Sequence, residues 1–300
     1  MKKFLSVVLS IVLIAGCFSA CVSGKSVKEE EKKPEYELAF VCDYAYAEDK
    51  NNAFAGYEAL CRAVINGEDG ARLNTDLIDS VRNLFFTSFP LNALVEDVSV
   101  KEDGSGVAIK YKNEKEAHLK AVADFTAKIK EITTSCASDN KNIYAINVYH
   151  YITSNIKESK DMTVTCYDTV MKGEGTSFSY GQLLAYLLML GGIEASFITA
   201  LDASNTGWGL CQVKLMDKYF YLDPMTEYFD NGGTVLRYFG MTDSDLKKEG
   251  LKEPTHTTNK ACADTSDLYF DILRICKSYE LQGTDLLVTT TEGEVVKIAL

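Results

Sequence analysis

Histidine is scarce in this chain: His118, His150 and His256 are the only three in 300 residues. The cysteines beyond Cys17 and Cys21 form no Cys-x-x-Cys pair and no Cys/His spacing suited to zinc, so no metal site is legible and no cofactor is implied. Positive charge is in deficit. Against 43 Asp and Glu stand 31 Lys and Arg, a net charge of −12 with a sequence pI near 4.8. That balance leaves no electrostatic footprint for nucleic acid. Long apolar runs are also missing after the first residues, which excludes a later spanning helix by this pattern. The cysteines after Cys21 are Cys42, Cys61, Cys136, Cys166, Cys211, Cys262 and Cys276. Their odd number prevents complete internal pairing, and Cys61 and Cys211 fall in apolar patterns that favour buried free thiols.

The chain opens on an apolar run. Met1-Lys2-Lys3 is basic, Phe4 to Ala15 is apolar, and Ile14-Ala15-Gly16-Cys17 closes the segment. This reads as a secretory signal, too short to span and followed by polar residues. Its end resembles the bacterial lipobox, aliphatic-small-small-Cys, which implies a lipid on Cys17 after cleavage before it. Cys21 fits less well, because Phe18 occupies its aliphatic position. The alternative is an ordinary signal peptide cleaved near Ala20. Residues 17–34, with Lys28-Glu29-Glu30-Glu31-Lys32-Lys33-Pro34, carry too few apolar side chains to offset folding entropy and read as a flexible tether. The expectation is a protein outside the cytoplasm, lipid-anchored to a bacterial cell membrane.

The rest reads as α+β in two parts, an accessory region over 35–136 and a second domain over 137–300. Phe54, Tyr57, Cys61, Val64 and Ile65 recur at helical spacing from Asn51 onward, stopped by Gly67. A second helix carries Leu77 to Phe85, capped by Asn74 or Thr75. Strand patterns flank Asp103-Gly104-Ser105-Gly106 and predict a hairpin. Leu119 to Ile132 predicts a helix ending near Ser135. Ser138-Asp139 looks like the cap of the next, whose face holds Ile143, Tyr149, Ile152 and Ile156.

A leucine-rich buried helix follows Ser177 and ends at Gly191-Gly192, with Ser177 or Ser179 as its cap. Strands are expected at Ile193 to Ala200, Leu210 to Met216 and Tyr219 to Leu222, the last two joined by an Asp217-Lys218 turn. Leu286 to Thr290 and Glu294 to Ile298 predict a terminal hairpin.

The most informative words lie between Gly173 and Asp223. They read Gly173-Glu174-Gly175-Thr176-Ser177-Phe178-Ser179-Tyr180-Gly181, then Gly207-Trp208-Gly209, then Tyr219-Phe220-Tyr221-Leu222-Asp223-Pro224. This layout resembles the bacterial transglutaminase-like superfamily, whose pattern is Gly-x-Gly-x-Cys-x-x-Tyr-Ala, then His-Ala-Trp, then Tyr-Tyr-x-Asp-Pro. The resemblance runs from about Tyr144 to Leu246. It implies a papain-like core, a helix packed on a small antiparallel sheet, and a Cys-His-Asp triad. Ser177 stands at the cysteine position, Trp208 at the histidine position, and Asp223 at its own. A two-residue gap would instead leave Thr206 in the histidine slot.

Neither alignment supplies an imidazole. A serine hydroxyl is a weak nucleophile until a base removes its proton, and an indole N–H can only donate. His118 and His150 read as packing residues within helices, while His256 lies in a polar loop. The resemblance therefore implies a degenerate site. Trp208 either fills the volume of the lost imidazole or floors an open groove with Tyr180 as a ligand-stacking surface. The expected function is binding of peptide, protein or cell-wall material by a pseudoenzyme. The contrasting readings are an amide hydrolase or acyltransferase using Ser177 or an unaligned cysteine, and a purely structural spacer.

Overall fold

The computed structural model describes residues 53–252, 262 and 270–300. The signal segment, Cys17, the tether and His256 lie outside them. Helix α1 (Ala53–Asn66) buries Tyr57, Leu60, Cys61 and Val64 and stops at Gly67, whose φ of +62° suits glycine. Asn74 caps a short 3-10 turn that leads into α2 (Ile78–Ser88). Strands β1 (Gly70–Ala71), β2 (Val95–Val100) and β3 (Val107–Tyr111) form an antiparallel sheet in the order β1-β3-β2. The long helix α3 (Lys115–Ser135) then precedes α4 (Lys141–Asn155).

The cap of α4 is Asn140 rather than Ser138 or Asp139. Its side-chain oxygen accepts the Asn142 and Ile143 N–H groups at 2.8 and 3.3 Å. Ser138 Oγ is occupied one step earlier, accepting the Asn140 N–H at 3.2 Å. The division drawn at 136/137 falls in this link, and apolar residues from both sides of it, such as Phe125 and Tyr149, share one core.

After α4, a short parallel pair of strands, β4 (Lys157–Glu158) and β5 (Glu174–Gly175), brackets α5 (Cys166–Lys172). Strand β5 delivers the chain into α6 (Ser177–Leu190), which buries Leu183, Leu184, Leu187 and Leu188. Four antiparallel strands lie against it: β6 (Ala195–Leu201), β7 (Gly207–Leu215), β8 (Lys218–Leu222) and β9 (Phe239–Met241), in sequence order. Helices α7 (Pro224–Asn231) and α8 (Asp243–Lys248) flank β9 in sequence. The class is α+β, with a helix packed on a small antiparallel sheet.

The β7–β8 turn is Met216-Asp217, one residue earlier than its sequence suggests. Leu215 pairs with Lys218, and both turn residues have positive φ, 50° and 61°. Two central residues with φ > 0 match the right-handed twist of a two-residue hairpin, even though neither is glycine. The C-terminal meander has three strands, β10 (Cys276–Gln282), β11 (Asp285–Thr290) and β12 (Val295–Ala299), so the expected hairpin gains an extra strand. Among the described residues no helix is long and apolar enough to cross a membrane.

Candidate functional site

Two glycines let α6 lie directly on β7. A Cβ at Gly209 would come within 2.5 Å of Phe178 Cα and 2.6 Å of the Ser177 carbonyl oxygen. One at Gly181 would meet the Leu210 carbonyl oxygen at 2.9 Å. Backbone therefore meets backbone where the helix begins. Thr176 is the N-cap, its N–H donating to Ser179 Oγ at 2.9 Å, so Ser177 is the first helical residue and neither serine is itself the cap. Ser177 Oγ accepts the Gly209 N–H at 3.3 Å and is buried, 6% exposed.

Trp208, next to Gly209, sends its indole N–H to Asp223 Oδ2 at 2.8 Å. Asp223 follows β8 and caps α7: Oδ1 accepts the Thr226 N–H at 2.9 Å and Oδ2 the Thr226 hydroxyl at 2.7 Å. Burial pushes this carboxyl up to about 6, against the pull of the Thr226 and Trp208 hydrogen bonds. Ser177, Trp208 and Asp223 are thus brought together, Ser177 through Gly209 and Trp208 by direct bonding to Asp223. Under the gapped alignment Thr206 would occupy the histidine slot, but it is exposed and its N–H is held by Asp202 Oδ1 at 2.8 Å.

Tyr180 is a correction. It is fully buried and its hydroxyl donates to the Ile156 carbonyl at 2.6 Å, so it braces the core and cannot line a groove. Of the residues singled out for binding, only Trp208 reaches solvent, half-buried near the start of β7.

The described histidines are engaged elsewhere. His118 is buried with Nε2 2.6 Å from the Val64 carbonyl, and burial lowers its basicity. His150 faces Ser154 and the ring of Tyr279. The six described cysteines are all buried. Burial alone pushes the Cys166 thiol far up, Cys211 is raised likewise, and Cys262 is pushed up to about 12. Burial thus holds these three protonated near neutral pH. Among the described residues no group of His, Cys, Asp and Glu is arranged to hold a metal ion.

Sequence reasoning missed the polar network behind Asp223. Tyr149 OH donates to the Asp223 carbonyl at 3.0 Å and lies 3.3 Å from Glu227 Oε2. Glu227 is fully buried and also takes the Tyr238 N–H and the Asn231 amide, each at 2.8 Å. Burial raises the Glu227 carboxyl, and Arg274 lies within electrostatic reach while donating to the Phe239 carbonyl. The available signal was Glu227, one helical turn after an Asp-Pro start.

No protein-family model and no curated protein matches this chain. Among solved structures it is similar to a chain from Cytophaga hutchinsonii assigned provisionally as a cysteine protease, with 12% identity and a TM-score of 0.30, over 44% of this chain and 40% of that one. It is similar to a TGase with 12% identity and a TM-score of 0.33, over 54% of this chain and 49% of that one. A provisionally assigned protease from Parabacteroides distasonis shares 19% identity with a TM-score of 0.25, over 43% of this chain and 30% of that one. The chain spans less than half the length of each.

Proposed function

We propose that the chain is a non-catalytic, transglutaminase-like lipoprotein that binds peptide, protein or cell-wall material beside Trp208, anchored outside the cell through Cys17. The observation that carries the loss of chemistry is the Trp208–Asp223 hydrogen bond. An aspartate in a working triad orients a base that can take and return a proton. Here it holds an indole, which only donates. The Ser177 hydroxyl accepts a backbone N–H and is shielded from solvent, so neither base nor substrate has access to it. A half-exposed indole retains the large amphipathic surface suited to ligand contact.

A serine-directed fluorophosphonate, incubated with the mature protein, tests the non-catalytic half. No adduct should form on Ser177. An adduct lost in Ser177→Ala would overturn the reading. The binding half is tested with cell-wall fragments and peptides by quenching of the single tryptophan, and no response from any of them would overturn it. For the anchor, intact mass of the membrane fraction should show a lipidated N-terminal Cys17, and an unmodified start downstream would refute it.

A further inference from the structure

Several aromatic side chains around the four-stranded sheet give their polar hydrogens to carboxylates. Trp208 donates to Asp223 at 2.8 Å, Tyr219 to Glu194 at 2.6 Å, Tyr221 to Asp243 at 2.8 Å, and Tyr238 to Asp230. A ring whose N–H or O–H is held by an anion keeps more electron density on its faces, and an electron-rich face attracts cations. This sheet already shows such a contact: Lys214 Nζ lies 6.0 Å from the centroid of the Tyr219 ring.

Trp208 and Tyr238 flank Asp223. The Asp223 side chain takes the indole N–H, and its backbone N–H donates to the Tyr238 carbonyl at 3.0 Å. Both rings are half-buried and pack on the same small cluster, which includes Ile198, Leu210 and Leu246. Two exposed acids face Tyr238: Asp230 accepts its hydroxyl, and Glu249 lies within electrostatic reach of the ring. Burial first, and then the charge of Asp230, raise the Glu249 carboxyl, so the two carboxylates feel one another. Neither forms an ion pair with a described residue. Arg274 tempers their field only from the interior, where its guanidinium donates to the Phe239 carbonyl.

We propose that Trp208, Tyr238, Asp230 and Glu249 form a subsite for a guanidinium group, which makes the ligand an arginine-bearing peptide. The inference rests on the binding role proposed for this site. A guanidinium is planar, weakly hydrated and forked, so it can stack on an aromatic face while its N–H groups meet carboxylates. An ammonium offers the charge without the stacking. The net charge of −12 would draw a basic peptide from a distance.

Calorimetric titration of the mature chain with acetyl-Gly-Arg-Gly-amide, and with the same peptide carrying citrulline, tests the proposal. Citrulline keeps the shape and loses the charge. The arginine peptide should bind, with the citrulline peptide about tenfold weaker, the scale of a partly desolvated cation–π contact. Glu249→Gln, an exposed change, should weaken the arginine peptide several-fold without moving the thermal midpoint, and Trp208→Phe should weaken it as well. Equal affinity for the two peptides, no binding of the arginine peptide, or unchanged affinity in both Glu249→Gln and Asp230→Asn would each overturn the subsite. A neutral cell-wall fragment that quenches Trp208 while the arginine peptide does not bind would overturn this inference and leave the binding function standing.

Discussion

The Gly209 backbone N–H points at Ser177 Oγ, 3.3 Å away, and ties the first turn of α6 to strand β7. In a nucleophilic site that oxygen would face a base. Here it completes a backbone hydrogen bond at a place where helix and strand touch without side chains between them.

Gly209→Ala should therefore be more damaging than Ser177→Ala. The added methyl would meet backbone atoms of Ser177 and Phe178 at 2.5–2.7 Å, and backbone cannot swing aside as a side chain can. Overpacking of this kind costs about 1–3 kcal/mol. Ser177→Ala removes one acceptor and should cost about 1 kcal/mol. Urea denaturation of both variants checks the order, and a Gly209→Ala protein as stable as wild type would mean that the helix and strand are farther apart.

Asp223→Ala should cost about 2–4 kcal/mol, since it removes a helix cap and strands the Trp208 N–H inside a half-buried site. Asp223→Asn should cost less, because an amide oxygen still accepts and no buried charge is needed. Unfolding midpoints in urea decide it. An alanine variant no weaker than the asparagine one would show that the carboxylate's bonds contribute little.

The parts of the fold that follow from periodicity were readable in advance. The 3.6-residue spacing of α1 and α3, the leucine-rich run of α6 and the Asp103–Gly106 turn report local physics, and local physics set those elements. Short elements were less legible. Strand β10 has no alternation sharp enough to mark it, and α7 is hidden in an Asp-Pro word that also reads as a turn. Of the site, the type of each residue was legible but its exposure was not. Tyr180 and Trp208 look equally suited to ligand contact in sequence, yet the Ile156 carbonyl draws one into the core while the end of β7 leaves the other at the surface. The position of Glu227 was visible but its burial was not, because a buried carboxylate depends on partners far apart in the chain, Tyr149 and Tyr238.

The six described thiols should be silent in the native protein. Cys61, Cys136, Cys166, Cys211, Cys262 and Cys276 are all buried, and burial holds Cys166 and Cys211 protonated. Ellman's reagent at pH 8 should react with them only after denaturant is added. Rapid native modification of Cys166 or Cys211, located by peptide mapping, would contradict their burial and reopen the case for a cysteine nucleophile.

Trp208 is the single tryptophan of the chain, so its emission reports on Asp223 without interference from another indole. Burial raises the Asp223 carboxyl from 3.8 to about 6, so between those values the folded protein holds a proton that the unfolded chain has released. The stability this group contributes is fully present below 3.8 and is lost as pH rises through about 6. Local structure should respond over the same interval. Oδ2 accepts both the Trp208 N–H and the Thr226 hydroxyl, and a proton placed there competes with both donors. The hydroxyl can rotate to accept, while the indole can only let go. Emission should therefore shift with a midpoint near the Asp223 value, with easier acrylamide quenching on the acid side, and Asp223→Asn should remove the transition. The folded baseline must be confirmed by circular dichroism at each pH, because the lowered basicity of buried His118 withdraws stability as pH falls below 6.5, the opposite direction. A transition that survives in Asp223→Asn would assign the titration to another group and break the link between this carboxylate and the indole.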